Sequence, residues 1–119
     1  MNASAREARH TLRTRNAATR TARRAHRLIA TGLPQTARTH LVAAGINDQT
    51  AKRYAGAFSR GMQADATGET SIKLKGRTRK TVTVKLYAAT TFAARLTVYR
   101  PKNLTHAALF DLAAHQLAA

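Results

Sequence analysis

The stretch 36-TARTHLVAAGINDQTAKRYAGAFSRGM-62 decides how this 119-residue chain folds. Leu41, Ala44 and Ile46 close its first half on one apolar side, and Gly45 interrupts the run. Asn47 is suited to cap a second helix, along which Ala51, Tyr54, Ala55 and Phe58 recur at helical spacing. The pattern predicts two short helices hinged at Gly45, the first starting at Gln35 or Thr36. By spacing alone the unit is a helical hairpin with a polar outer face.

Charge bounds what such a unit can do. Twenty-one Lys and Arg stand against five Asp and Glu, a formal net charge of +16, and the pI is near 11.8. So large an excess repels itself unless a polyanion shares the space, which makes nucleic acid the expected partner. Hydrophobic residues make up 44% of the chain, but many are alanine and there is no Trp. The core is therefore expected to be thin. No run approaches the roughly 18 apolar residues of a spanning helix, so no membrane partner is expected. Met1–Arg6 lacks the apolar core of a signal peptide, and the absence of Cys excludes disulfides and thiolate metal sites. A cytoplasmic, nucleoid-associated location is the expectation. Without a secretory signal, the sequons Asn2-Ala3-Ser4 and Asn103-Leu104-Thr105 read as chance matches.

Upstream of the central unit, Ser4 to about Ala30 contains no Gly or Pro and is rich in Ala and Arg, which predicts a helix. Ser4 and Glu7 have the spacing of a capping box. At about 100° per residue, Arg6, Arg9, Arg13, Arg20, Arg24 and Arg27 share an arc of about 60°. Ala8, Ala18, Ala22, Ala25 and Ile29 lie opposite, while Arg15 and Arg23 fall off the stripe. At ~1.5 Å per residue the stripe is about 30 Å long, close to one ~34 Å turn of duplex. Phosphate contact is its expected role; a solvated basic face is the plainer alternative. Thr31-Gly32-Leu33-Pro34 ends the segment. Residues 1–33 thus form an Arg-rich helical arm and residues 34–119 the body.

Downstream, Gln63–Glu69 reads as a polar connector, after which the period changes to two. Ile72 and Leu74, then Val82, Val84 and Leu86, alternate with polar residues on either side of a Gly76–Lys80 loop. This predicts a β-hairpin with one apolar face. Lys73, Lys75, Arg77, Arg79, Lys80 and Lys85 fall within thirteen residues that include no acid. In Ala88–Arg100, Phe92, Ala94, Leu96 and Val98 alternate, which favours a third strand ended by Pro101. Phe92 and Tyr99 are expected in the core, with Tyr87 projecting from a basic face. Asn103 or Thr105 caps a last helix to about Leu117, its stripe of Leu104, Ala108, Leu109, Leu112 and Ala113 covering the sheet or making a homodimer contact. The fold class is α+β: N-terminal helices, a basic hairpin or three-stranded antiparallel sheet, and a C-terminal helix.

Within the central unit, 40-HLVAAGINDQTAKRY-54 resembles the helix-turn-helix of bacterial repressors, where A-G-[VI]-x-x-x-T-x-x-x-[YF] is a common run. His40 and Leu41 stand where that pattern has a small or apolar residue. The basic hairpin resembles the wing of winged-helix proteins. The resemblance implies a second helix in the DNA major groove, facing bases with Asn47, Asp48, Gln49, Thr50, Lys52 and Arg53 while Gly56 permits close approach. Gln49 is suited to adenine and Arg53 to guanine. Asp48 either accepts from cytosine or favours the helix N-terminus. Arg77 and Arg79 suit a narrow minor groove, and Lys73, Lys75 and Lys80 the backbone.

Catalysis finds little footing. The five acids are scattered, there is no P-loop or H-E-x-x-H, and His10, His26, His40, His106 and His115 are too dispersed for a metal site. The expectation is a non-enzymatic protein without metal or cofactor that binds specific double-stranded DNA, as a repressor or regulator of a bacterial, plasmid or phage system. Its rivals are a sequence-independent architectural or packaging protein and a ribosome-associated or other RNA-binding protein.

Overall fold

The computed structural model describes residues 3–118, so Asn2 of the first sequon lies outside it. It contains seven elements in chain order: α1 Ala3–Ala30, α2 Ala37–Ala43, α3 Asp48–Ser59, β1 Ala66–Lys73, β2 Arg79–Leu86, α4 Ala89–Val98 and α5 Leu104–Ala118. The chain is α+β, with helices at the N-terminus, one antiparallel hairpin and a C-terminal helix.

The central unit forms where its local chemistry places it. Thr36 caps α2 by accepting from the Thr39 amide, and Asn47 caps α3 by accepting from the Thr50 amide. Between them Gly45 takes φ 102°, a left-handed conformation that side chains with a Cβ rarely adopt. The Ile46 amide bonds back to Leu41 O at 3.1 Å and tightens the turn. Leu41, Val42, Ile46, Ala51 and Phe58 are buried, so each helix contributes its inner face to one core.

That core is closed by rings. Phe58 of α3 meets Phe92 at 5.4 Å, Tyr99 at 5.3 Å and Phe110 at 6.2 Å between centroids, joining α3 to α4 and α5. All three phenylalanines of the chain are buried here, and their area offsets the thinness of an alanine-rich interior. Gly61 admits this packing: a Cβ there would lie 2.4 Å from the Arg95 guanidinium, whose Nε donates to Phe58 O.

Several expectations are corrected. Ala88–Arg100 is not a third strand; its middle forms α4. Phe92 and Leu96 are buried and Tyr99 half-buried, which is i, i+4, i+7 spacing, whereas Val98 is 69% exposed. The start of α4 is capped from a distance, because Asp65 Oδ2 accepts from the Ala88 amide at 2.9 Å and from Thr91 Oγ1 at 2.8 Å. These two bonds hold the Asp65 carboxyl below the usual carboxylate range.

The hairpin's sheet partner is a single residue instead: Gln35 pairs with Tyr87, amide to carbonyl, at 3.0 and 2.8 Å. Tyr87 is consequently buried rather than projecting from a basic face. The polar connector shortens, since Ala66–Glu69 belongs to β1 in register with Thr83–Leu86.

Ser4 lies inside α1 rather than capping it. Ala25 joins the core, so the second half of α1 packs against the rest of the fold. In α5, Asn103 does cap the helix by accepting from the His106 amide at 3.2 Å. The buried residues of α5 are Phe110 and Ala113, whereas Leu104 is 86% and Leu112 56% exposed. The leucine stripe therefore does not cover the sheet.

Candidate nucleic-acid interface

The outward face of α3 is built by exclusion. Thr50, Ala51 and Phe58 turn inward, and Tyr54 leans on Phe110 and His106. What remains outside is Gln49, Lys52, Arg53, Gly56 and Arg60, all exposed. At about 100° per residue they share an arc of about 100°. The Arg53 guanidinium lies 5.3 Å from the Tyr54 ring centroid, a cation–π contact that steadies it without using its donors on a carboxylate.

The six residues expected to face bases separate into two groups. Gln49, Lys52 and Arg53 are exposed and share the face. Thr50 is only 9% exposed, so it is a packing residue and does not reach a groove. Asn47 spends its side-chain oxygen on the α3 cap. Asp48 receives a two-pronged hydrogen bond from Arg38, Nε to Oδ1 at 2.8 Å and Nη2 to Oδ2 at 2.6 Å. This pairing pushes the Asp48 carboxyl down and the Arg38 guanidinium up. Asp48 thus ties the start of α3 to α2, and its charge is paired with the Arg38 guanidinium.

Gly56 carries a different signal. A Cβ built there meets nothing within 4 Å, and the residue sits mid-helix where Gly costs about 0.5–1 kcal/mol relative to Ala. Nothing within the fold requires it. Arg60 is the residue that sequence reasoning missed, because it lies past the motif as the C-cap of α3. The i, i+4 step from Gly56 was the available clue.

Two further basic surfaces lie outside α3. Arg6, Arg9, Arg13, Arg20, Arg24 and Arg27 are all exposed along the continuous α1. Arg24 lines one small cleft of about 170 Å³ together with Arg38 and Asp48, so the stripe's C-terminal end adjoins the start of α3. In the hairpin, Lys73, Lys75, Arg77, Arg79 and Lys80 are exposed at the far end, as is Lys85 nearer the base. Leu74 N donates to Thr78 O at 2.8 Å and Gly76 takes φ 80°, which makes the tip a closed turn.

His40, where the sequence departs from the repressor pattern, ties these parts together. Its Nε2–H donates to Tyr87 O at 2.7 Å, and its ring stacks on Phe92 at 4.8 Å. One side chain of α2 thereby holds the base of the hairpin and α4, and burial pushes its pKa down. Among the described residues no group of three or more His, Asp or Glu could hold a metal ion, and no helix is long and apolar enough to cross a membrane. No family model, curated protein or solved structure matches this chain.

Proposed function

We propose that this chain is a sequence-specific double-stranded DNA-binding protein, a repressor or regulator of a bacterial, plasmid or phage system. It acts by binding rather than by catalysis, in the cytoplasm at the nucleoid. The order helix, single-residue strand, helix, turn, helix, hairpin is that of a winged helix, which supports reading α3 as the groove helix and β1–β2 as the wing. Gln49, Lys52 and Arg53 read base edges, with Gln49 suited to adenine and Arg53 to guanine. Lys73, Lys75, Arg77, Arg79 and Lys80 hold the adjacent backbone or minor groove. The α1 arginines hold phosphates, adding salt-dependent affinity without discrimination. A homodimer through the exposed leucines of α5 fits this reading, because two-fold operators pair with two-fold proteins and α5 carries no Lys or Arg to repel its copy.

The observation that carries the proposal is the outward face of α3: a glycine the fold does not need, set among Gln49, Lys52, Arg53 and Arg60 on a helix whose N-terminus is pinned by Asn47 and Asp48. Selection of bound sequences from random duplex DNA tests it. An enriched motif is expected, and Arg53→Ala and Gln49→Ala each lose about 1–3 kcal/mol of discrimination at one base pair of it. Tight binding with no enriched motif would assign the chain to sequence-independent packaging. Preference for structured RNA in competition would assign it to an RNA partner.

A further inference from the structure

We propose that the β1–β2 arm bends the duplex it touches by wedging Leu74, backed by Ile72, between neighbouring base pairs from the minor groove. This rests on the duplex-binding reading above and adds an action that neither the α3 face nor the arginine stripe supplies.

The arm is more than a clip for phosphates. Every residue from Glu69 to Thr81 is exposed. In the register, Thr70 pairs with Val82 and Ile72 with Lys80, so the ribbon face that carries Val82 and Val84 continues to Ile72 with a lysine beside it. Val82, Val84 and Leu86 nearer the base are half-buried, whereas Ile72 and Leu74 are each 41% exposed. From Ala66 the eight-residue strand reaches roughly 25 Å at ~3.3 Å per residue, which carries these two side chains clear of the core. Two large aliphatic residues thus stand together near the free end of a charged arm, where a partner could remove them from water.

The surroundings of the pair select that partner. Lys73, Lys75, Arg77, Arg79 and Lys80 bracket Leu74 on both strands and in the turn, and the nearest acid of the arm, Glu69, pairs with Thr83 well below the tip. A second copy of the arm would meet like charge. A duplex offers phosphates on both sides of a stack of apolar base faces, matching cations on both sides of an aliphatic point. Apolar wedges of this kind unstack one base step and kink the duplex toward the major groove. The closed turn between Leu74 and Thr78 preforms the point, so little ordering is needed on contact.

Energy transfer between dyes at the two ends of a duplex of about 30 bp carrying the preferred site reads the bend directly. At saturating protein the ends are expected to approach, corresponding to a kink of roughly 20–90°. An Ile72→Thr, Leu74→Ser double variant should keep its circular dichroism, bind within about tenfold of the parent and leave the duplex near straight. Leu74→Met, which keeps a large apolar side chain, should keep the bend, and Arg77→Ala should weaken binding yet bend fully at saturation. A straight duplex with the parent protein, or an equal bend with the double variant, overturns the wedge while leaving duplex binding intact. Failure to bind any duplex overturns the binding reading and the wedge with it. Leucine-dependent capture by anionic lipid vesicles, with no bend in DNA, likewise overturns the wedge.

Discussion

Replacing Gly56 by alanine should move stability and affinity in opposite directions. A Cβ at this position has open space around it, so the substitution introduces no clash inside the fold. Position 56 is the ninth residue of the twelve-residue α3, where exchanging Gly for Ala is worth about 0.8–1.0 kcal/mol of helix propensity. For a chain of 119 residues this raises the unfolding midpoint by about 3–6 °C. If α3 lies in a groove, the added methyl falls in the middle of the contact, between Lys52, Arg53 and Arg60. Overpacking of a close-fitting contact costs about 1–3 kcal/mol, a loss of roughly 5- to 150-fold in Kd. Thermal unfolding by circular dichroism and titration of a fluorescent duplex measure the two effects on one sample. A more stable variant with unchanged affinity would refute the assignment of this face to DNA. A less stable variant would refute the claim that the fold does not need the glycine.

Thr50→Val separates packing from readout at the residue next to Gln49: because Thr50 is buried, base discrimination should stay within about 0.5 kcal/mol of the parent. Asp65→Ala removes the acceptor shared by Ala88 and Thr91, so the midpoint should fall, while Asp65→Asn, which keeps a side-chain oxygen, falls less. For His40 the folded pKa lies below the unfolded value near 6.5. The unfolded chain therefore takes up that proton first, and His40's contribution is complete above about pH 6.5 and declines as pH falls below it. Denaturant unfolding at a series of pH values should show this slope, and His40→Gln should flatten it.

The legible parts of the fold are those whose partners are close in sequence. Asn47 and Thr36 cap helices that begin one residue later, and Gly45 turns between them, so a short window holds every residue involved. Helix α4 is hidden for the converse reason. Its cap is Asp65, 23 residues before Ala88, and its Thr and Val content favours strand until Phe92, Leu96 and Tyr99 find Phe58 and Phe110. Gln35 is a one-residue strand and leaves no periodic trace. Gly68 reads as part of a connector because glycine weakens strands, yet it sits beneath Leu86, whose Cδ1 would lie 3.2 Å from an added Cβ. Among the site residues, Gln49, Lys52 and Arg53 follow from helical phase, but placing Thr50 and Asp48 requires knowing what α3 and Arg38 touch.

Three of the few acids act as fasteners. Asp48 is spent on Arg38, Asp65 on the start of α4, and Asp111 on Arg100 across the turn between α4 and α5. None of these three lies on the outward face of α3 or on the far end of the hairpin, and Asp48, beside Arg24 at the end of the arginine stripe, is taken by Arg38. Each pins one element to another at a helix end, where a carboxylate or guanidinium also answers unpaired backbone groups. Only Glu7 and Glu69 remain beside the exposed cations of α1 and the arm. Folding thus consumes carboxylates and leaves the surface charge almost unneutralised. The resulting self-repulsion weakens the isolated chain, and salt relieves it by screening over about 10 Å at 0.1 M. The same screening lowers affinity for a polyanion. If the proposed duplex binding holds, a chain arranged in this way gives up stability in the free state and recovers it when phosphates line these basic surfaces.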